Sequence, residues 1–202
     1  MRGIAGSALM MLTVAAAAMV AQTLPAGWAM RLDNPKAPAA DVSFVTMGTG
    51  FHAITGPAAI FYRPDQRRTG TYQVQATFQQ IAPSAHAEAY GLFIGGSELD
   101  GASQKYTYFL IRQDGKFLVK RRAGAASPAV TDWTDHASIR KTEGTTRGTN
   151  TLAVAVGGDR VRFLVNGAEV GSAAPADVDT DGIAGLRINH NLNVHVEGFG
   201  VK

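Results

Sequence analysis

Short alternating runs separated by turn residues dominate this chain, most clearly in residues 150–170. Apolar side chains alternate with small or polar ones through residues 152–156 and again through 161–165, which is the period of a β-strand with one buried face. Gly157-Gly158-Asp159 and Asn166-Gly167 separate the runs, and these residue types tolerate the positive φ of tight hairpin turns. The segment therefore predicts three consecutive antiparallel strands.

The same pattern recurs from residue 42 to the C-terminus. Residues 72–81 alternate between apolar and Gln or Thr side chains, which predicts a strand with one wet face. The run A-Y-G-L-F-I-G-G at 89–96 is apolar throughout, so we expect it mid-sheet with both faces covered. Asp114-Gly115 predicts a hairpin turn between two more strands. Together these signals predict an all-β, antiparallel two-sheet jelly-roll β-sandwich of about 12 strands.

The N-terminal residues predict export. Residues 8–21 are apolar apart from Thr13, which suits the hydrophobic region of a secretory signal and is short for a membrane span. We interpret residues 1–21 as a signal peptide, with an uncleaved interfacial anchor as the alternative, and expect a secreted or periplasmic protein with no membrane span after signal removal. Residues 22–41 read as a linker or extended arm whose Trp28 packs on the sandwich, and residues 42–202 as one β-sandwich domain.

Composition excludes several functions. The chain of 202 residues has no cysteine, so disulfides, thiolate metal sites and a Cys nucleophile are excluded. A formal charge of +3 with scattered basic residues argues against nucleic-acid binding. The one basic cluster, residues 120–122, is interpreted as a solvated strand end. Residues 123–150 lose all periodicity and predict a long loop.

The chain resembles the concanavalin-A-like jelly-roll superfamily, in particular the laminin-G-like and 3-keto-disaccharide hydrolase-like domains. N-T-L-A-V-A-V with R-F-L-V-N-G-A-E-V, and the closing D-G-I-A-G-L-R-I-N-H-N-L-N-V-H-V-E-G-F-G-V-K, carry the resemblance. It implies the fold and a task in sugar handling. The Asn-Ser-Gly strand of the hydrolase-like members and the Glu-x-Asp-x-x-Glu of the glucanases are absent from the sequence, so the resemblance implies no enzymatic activity.

Sugar-binding surfaces combine an aromatic platform with planar polar groups that pair with hydroxyls. Residue types and positions nominate Tyr106, Tyr108, Arg112, Lys120, Trp133, His136, Arg187, Asn189, Asn191 and His195. The polar face of residues 72–81, overhung by the loop that bears Trp133, would form a trough for a sugar ring, with Arg112, Arg187 and Asn189 reaching its hydroxyls.

Acidic and imidazole side chains leave a catalytic alternative open. His86 precedes Glu88 by two residues and His195 precedes Glu197 by two, which places each pair on one strand face. Glu88 and Glu197 could form the two-carboxylate arrangement of a glycosidase. Surface histidines and carboxylates are the alternative interpretation.

The acidic run Asp177-Val-Asp179-Thr-Asp181-Gly182 resembles the first half of a calcium loop. Position twelve of such a loop is Ile188 and supplies no bidentate carboxylate, which excludes an ordinary EF-hand. Two interpretations stay open. Asp177, Asp179 and Asp181 bind calcium whose shell is completed by backbone carbonyls, or the run is a solvated turn.

These observations favour an exported, non-catalytic β-sandwich that recognises a carbohydrate or a glycosylated or cell-surface partner. A glycoside hydrolase with a divergent active site is the first alternative, and a structural docking module is the second. Outward-facing Phe109 and Ile111 would favour docking. Ligand identity and oligomeric state leave no mark in the sequence.

Overall fold

The computed structural model describes residues 23–202. The predicted signal peptide, residues 1–21, lies outside this range. Within the described residues, the model contains no helix that has both the length and the apolar character to cross a bilayer.

Within residues 23–202, fourteen strands form two antiparallel sheets of seven strands each, with two 3-10 turns at Ala39–Asp41 and Pro175–Asp177. The strands are β1 (Ala29–Leu32), β2 (Val42–Met47), β3 (Gly50–Thr55), β4 (Ala59–Arg68), β5 (Tyr72–Gln80), β6 (Ala89–Ser97), β7 (Lys105–Arg112), β8 (Lys116–Ala123), β9 (Ala129–Asp135), β10 (Thr149–Val156), β11 (Val161–Val165), β12 (Ala168–Ala173), β13 (Gly182–Ile188) and β14 (Leu192–Val201). Sheet A has the order β1-β4-β13-β6-β7-β8-β9, and sheet B has the order β12-β11-β10-β5-β14-β3-β2. The predicted all-β sandwich is confirmed.

Strands β10, β11 and β12 confirm the three strands predicted from residues 150–170. The second turn uses positive φ at Asn166 (52°) and Gly167 (84°), as a tight hairpin requires. Asn166 also fixes its surroundings, because its Oδ1 accepts from the Thr151 backbone N–H and its Nδ2 donates to the Ser138 carbonyl. The first turn differs from the expectation, since neither Gly157 nor Gly158 has a positive φ.

The main core lies between the sheets. The apolar alternation of β5 is confirmed, because Tyr72, Val74, Ala76 and Phe78 point inward while the intervening residues do not. Sheet A contributes side chains such as Leu92, Phe109 and Ile111 to the same core, so the expectation that Phe109 and Ile111 face outward is wrong. Strand β6 occupies the centre of sheet A and is buried from Ala89 to Gly96, which confirms the prediction of a strand covered on both faces.

The two strands beyond the expected number are β1 and β9, the two edges of sheet A. Strand β1 lies in the segment expected to be a linker or arm and pairs with β4. Strand β9 lies in the predicted long loop, so that prediction is wrong for Ala129–Asp135. Trp28 packs edge-on against Phe44 and Phe51, with ring centroids 5.1 and 4.8 Å away, which confirms its expected contact with the sandwich.

Candidate functional site

The outer face of sheet A gathers most of the sequence-predicted ligand residues. Strand alternation turns Tyr106, Tyr108 and Leu110 away from the main core, where they join a second apolar cluster. That cluster also holds Ile60, Tyr62, Ala89, Phe93, Leu99, Leu118 and Ile183, with Ala29 and Trp133 packed against it. Six of the nominated residues therefore lie on one face: Tyr106, Tyr108, Arg112, Lys120, Trp133 and Arg187.

The β6–β7 connection covers part of this face. Leu99 is buried in the second cluster, its carbonyl accepts a hydrogen bond from Arg31 Nη1 at 3.0 Å, and Asp100 Oδ1 accepts one from the Tyr62 hydroxyl at 2.7 Å. Beneath it, Phe93 lies against β13 because Gly185 has no side chain: a Cβ there would lie 2.4 Å from Phe93 Cε1. The outer face of sheet A is thus a packed second core with an accessible margin at β7, β8 and β9.

Arg187 is the buried centre of the polar groups on this face. Its Nη1 and Nη2 donate to Asp33 Oδ1 and Oδ2 at 2.8 and 2.6 Å, and Nη1 also donates to the Tyr106 hydroxyl at 2.9 Å. Its guanidinium lies 4.7 Å from the Tyr108 ring centroid. The expectation that Arg187 reaches a sugar hydroxyl through an open trough is corrected, because both terminal nitrogens are held by Asp33 and only 6% of the residue is exposed.

Electrostatics follow from this burial. Burial alone would lower the pKa of Arg187, but the Asp33 hydrogen bonds outweigh it and the pKa lies above its ordinary value. Burial alone would raise the pKa of Asp33, but Arg187, with smaller contributions from Arg122 and Arg31, brings it below its ordinary value. Burial also raises the pKa of Tyr106. The ion pair therefore stays charged at neutral pH.

Trp133 and Arg112 form the accessible part of the face. The Arg112 guanidinium lies 4.4 Å from the Trp133 ring centroid, and its Nε donates to Asp114 Oδ1 at 2.8 Å. Trp133 is half-buried on edge strand β9. An indole beside a planar guanidinium offers an apolar surface and hydrogen-bond donors within one small area.

The outer face of sheet B is different. The Phe, Tyr and Trp side chains that its strands contribute within the described range, namely Phe44, Phe51, Tyr72, Phe78, Phe163 and Phe199, all pack into the main core. Its outer surface carries the cross-strand row His52, His195, Gln79 and Thr149. A shallow cleft of about 340 Å³ is lined by His52, His195, Gln79, Glu197 and neighbours. Burial and the nearby His195 hold the pKa of His52 below its ordinary value of 6.5.

No family model and no curated protein matches this chain. Among solved structures, a carbohydrate-binding module CBM66 from Bacillus subtilis matches with a TM-score of 0.63 and 10% identity, covering 87% of this chain and 95% of that one. This match and the two that follow show a shared fold, the jelly-roll β-sandwich. A Bacteroides ovatus GH16 protein from a mixed-linkage glucan locus, in complex with G4G4G3G product, matches at 0.59 and 10%, covering 87% and 94%. The carbohydrate recognition domain of Emp46p in metal-free form matches at 0.55 and 10%, covering 85% and 88%.

The jelly roll separates the two halves of the predicted trough. The polar face of β5 belongs to the outer surface of sheet B, whereas Trp133 lies on the outer surface of sheet A. The predicted trough is therefore wrong, because the main core lies between the polar face of β5 and Trp133. The error comes from treating the Trp133 segment as a free loop.

The remaining nominated residues lie elsewhere in the jelly roll. His136 follows β9, where its Nδ1 accepts the Ser138 backbone N–H and its ring contacts Phe117 of the main core. Asn189 follows β13; its carbonyl accepts the Thr55 hydroxyl, and its buried Oδ1 contacts no donor within the described part of the chain. His195 lies on sheet B beside Glu197, with Nε2 and Oε1 3.1 Å apart, which confirms that this pair shares one face.

The proposed catalytic pair does not assemble. Glu88 precedes β6 of sheet A and its Oε1 lies 2.9 Å from His190 Nε2, whereas Glu197 belongs to β14 of sheet B. The structure therefore does not support the alternative in which Glu88 and Glu197 meet within one sheet. Contact with His190 also replaces the pairing expected between Glu88 and His86.

The three carboxylates of the acidic run are engaged separately. Asp179 receives two hydrogen bonds of 2.9 Å from Arg121, and Asp181 Oδ1 accepts the Gly70 backbone N–H at 3.4 Å. Residues 23–202 include no group of three His, Asp or Glu side chains arranged to hold a metal ion. Calcium binding at Asp177, Asp179 and Asp181 stays a prediction, to be tested by whether calcium raises the melting temperature of the wild type and not of Asp177→Asn.

Sequence reasoning missed Asp33, Arg31 and Arg122. Asp33 was hidden in a Pro-rich segment read as a linker, although it is the acidic partner of Arg187. Arg122 was read as part of a solvated strand end. The available signal was the register of the predicted β7–β8 hairpin, because Arg122 lies opposite Tyr106 and Lys120 lies opposite Tyr108.

Proposed function

We propose that this protein binds a glycan, free or displayed on a cell-surface or glycosylated partner, at the outer face of sheet A. The observation that carries the proposal is the half-buried Trp133 with the Arg112 guanidinium 4.4 Å from its ring. The outer face of sheet B offers only imidazoles in place of such a ring within the described range. A sugar needs an aromatic surface for its C–H groups and donors for its hydroxyls.

The platform is suited to binding because it is already ordered. Asp114 and Trp133 hold the Arg112 side chain, so little rotamer entropy remains to be lost on binding. Lys120 extends from the neighbouring strand β8 on the same face as Tyr108 and supplies a further donor. The names of two matching structures, a carbohydrate-binding module and a carbohydrate recognition domain, support the same class of ligand.

The proposed task is recognition without catalysis. Glycosidases need two carboxylates flanking the scissile bond, and the pair that the sequence suggested belongs to different sheets. Export is also part of the proposal, with a mature chain that begins between about residues 18 and 26. N-terminal sequencing of the exported protein tests this part, and an intact Met1 in a membrane fraction would contradict it.

The decisive experiment compares the two tryptophans of the chain. Trp133→Ala should weaken binding on a glycan array by about 1–3 kcal/mol, because it removes a central aromatic contact. Trp28→Ala is the matched control: its ring packs against Phe44, Phe51 and Phe199, so the substitution should lower stability by up to about 3 kcal/mol and leave the affinity of the folded protein unchanged.

The two variants have opposite signatures under the proposal. Thermal melts of the array samples separate lost binding from lost folding. A Trp133→Ala variant that melts earlier but binds as well as the wild type would show that Trp133 only seals the second core. A wild type that binds no glycan on the array would reject the proposal.

A further inference from the structure

We infer that the glycan bound at the outer face of sheet A is acidic, carrying uronate carboxylates or sulfate esters. The inference rests on the proposed glycan-binding function and adds the class of ligand. Its basis is a group of three arginines, Arg31, Arg122 and Arg187, here called the arginine cluster.

Strand register brings the arginine cluster together. Arg31 of β1 and Arg187 of β13 are both paired with Ile60 of β4, from opposite sides, so they flank one position of the outer face. Arg187 Nη1 donates to the Tyr106 hydroxyl at 2.9 Å, and Arg122 of β8 is the cross-strand neighbour of Tyr106. Three guanidinium groups from three strands therefore surround the positions of Tyr106 and Asp33.

The acidic groups near the cluster do not balance it. Both Asp33 oxygens are used by Arg187, and the other carboxylate on this part of the face, Asp100, accepts the Tyr62 hydroxyl. Three guanidinium groups, those of Arg31, Arg122 and Arg187, thus lie around the one carboxylate of Asp33. Clustered cations on a low-dielectric surface concentrate positive potential and attract anions.

Hydrogen bonding leaves the same groups unsatisfied. The Nε atoms of Arg31, Arg122 and Arg187 are all buried and contact no acceptor among residues 23–202. The hydrogen bond from Arg122 Nη1 to Ser127 Oγ is long, at 3.4 Å. A carboxylate or sulfate on a ligand would supply charged oxygens that match the guanidinium geometry of Arg31 and Arg122, while Arg187 stays engaged by Asp33.

Cations elsewhere show the contrast. Arg112, Arg121 and Arg160 each contact a carboxylate, from Asp114, Asp179 and Glu169 respectively. The arginine cluster instead shares one carboxylate among three guanidinium groups. Arg31 and Arg122, whose Nη1 atoms donate to the Leu99 carbonyl and the Ser127 hydroxyl rather than to a carboxylate, are therefore suited to the charged substituent of a sugar.

The test uses one glycan in charged and neutralised forms. Oligogalacturonate and its fully methyl-esterified form have the same backbone and differ in charge, and a sulfated galactan oligosaccharide with its desulfated form distinguishes sulfate from carboxylate. Calorimetric titration of the full folded protein should give affinity about tenfold higher for at least one charged form than for its neutral partner. The preference should shrink as salt screens the charges.

Variants locate the effect. Arg122→Gln, or Arg31→Gln if the first does not fold, should remove most of the preference for the charged form and leave binding of the neutral form intact. Arg162→Gln is the matched control, because Arg162 is exposed on β11 of sheet B beside a second basic groove that includes Arg160 and Lys202. Far-UV circular dichroism and thermal melts verify the fold of each variant.

Each outcome decides the question. Equal binding of charged and neutral forms overturns the inference and leaves the glycan-binding function standing. A charge preference lost in Arg162→Gln but kept in Arg122→Gln also overturns it, since the anion then binds sheet B. Binding of no form, charged or neutral, contradicts the glycan-binding function together with the inference.

Discussion

The outer faces of the two sheets look equivalent in topology and differ in physics. Phe93 on β6 and Gln75 on β5 both lie on the central strand of a seven-stranded sheet, and both point away from the main core. Yet Phe93 is completely buried and Gln75 is exposed. The β6–β7 connection, anchored by Leu99, makes the difference. A side chain that points out of a sandwich is therefore a surface residue only where no connection folds back over it.

The two outer faces also differ in how deeply their charged groups are buried. Sheet A buries an ion pair between Arg187 and Asp33 and surrounds it with tyrosines. Sheet B leaves its titratable groups, His52, His195 and Glu197, in a shallow cleft. Buried charges are costly unless paired, so substitutions of the first pair should lower stability, whereas substitutions in the shallow cleft should be tolerated.

The largest effect should come from the paired central residues. Phe93→Ala should lower the free energy of unfolding by about 3–5 kcal/mol, because it empties the second core. Gln75→Ala, at the matching place on sheet B, should change it by less than about 0.5 kcal/mol. Urea unfolding of both variants measures the difference. Equal, small effects would mean that the outer face of sheet A is not a core at all.

The second largest effect on stability should come from the buried ion pair between Arg187 and Asp33. Arg187→Met should cost about 3 kcal/mol, because Asp33 keeps its charge in a poorly solvated place and the Tyr106 hydroxyl loses its donor. Arg162→Met on the exposed face of sheet B should stay within about 0.5 kcal/mol. Chemical unfolding at neutral pH checks both. A stable Arg187→Met protein would place Asp33 in bulk water rather than in the cluster.

Acid should reduce the contribution of Asp33. Its folded pKa lies below the unfolded value of 3.8, so its contribution is fully present above pH 3.8 and is lost as the pH falls through the folded pKa. Asp33→Asn should therefore lower the free energy of unfolding by about 2 kcal/mol at neutral pH, because charged hydrogen bonds are lost. In strong acid the effect should be much smaller. Thermal melts from pH 2 to 7 measure the stability difference between the wild type and Asp33→Asn, with exposed Asp65→Asn as the control. A stability difference that does not change with pH would contradict the pairing of Asp33 with Arg187.

The smallest predicted effect on stability comes from His52 on sheet B. Because the folded pKa of His52 lies below the unfolded value of 6.5, the unfolded chain binds more protons between these two values, and stability falls as the pH drops through that window. His52→Gln should flatten this part of the stability profile, whereas exposed His86→Gln should not. Unfolding at closely spaced pH values below 7 measures the slope. An unchanged slope in His52→Gln would assign the dependence to other groups.

Most strands could be predicted from local pattern because alternation reports one-sided burial directly. The continuous apolar run of β6 also announced a strand covered on both faces, although it could not say what covers the outer one. The two missed strands, β1 and β9, are the edges of sheet A, and edge strands have fewer buried positions to mark their period. Trp133 was therefore recognised as a candidate binding residue but assigned to a loop.

The site itself depends on contacts that local pattern cannot contain. Arg187 and Asp33 are separated by 154 residues, and no spacing rule connects a Pro-rich N-terminal segment with the penultimate strand. Tyr106 and Arg187 could be nominated by residue type, but their burial could not be read from it. Arg122 needed the register of the β7–β8 hairpin, which the sequence does provide through Asp114-Gly115.

The positions of β13 and β14 have a consequence for how the chain acquires its structure. The two most C-terminal of the described strands lie in the interior of the sheets, β13 between β4 and β6 and β14 between β5 and β3. Until residues 182–201 emerge, each sheet is split into two pieces with unpaired inner edges, which are prone to pairing with other chains. Neither sheet can therefore be completed before residues 182–201 are available, folding should be slow, as high contact order dictates, and a chain that stops short of Gly182 would aggregate instead of forming a smaller sandwich.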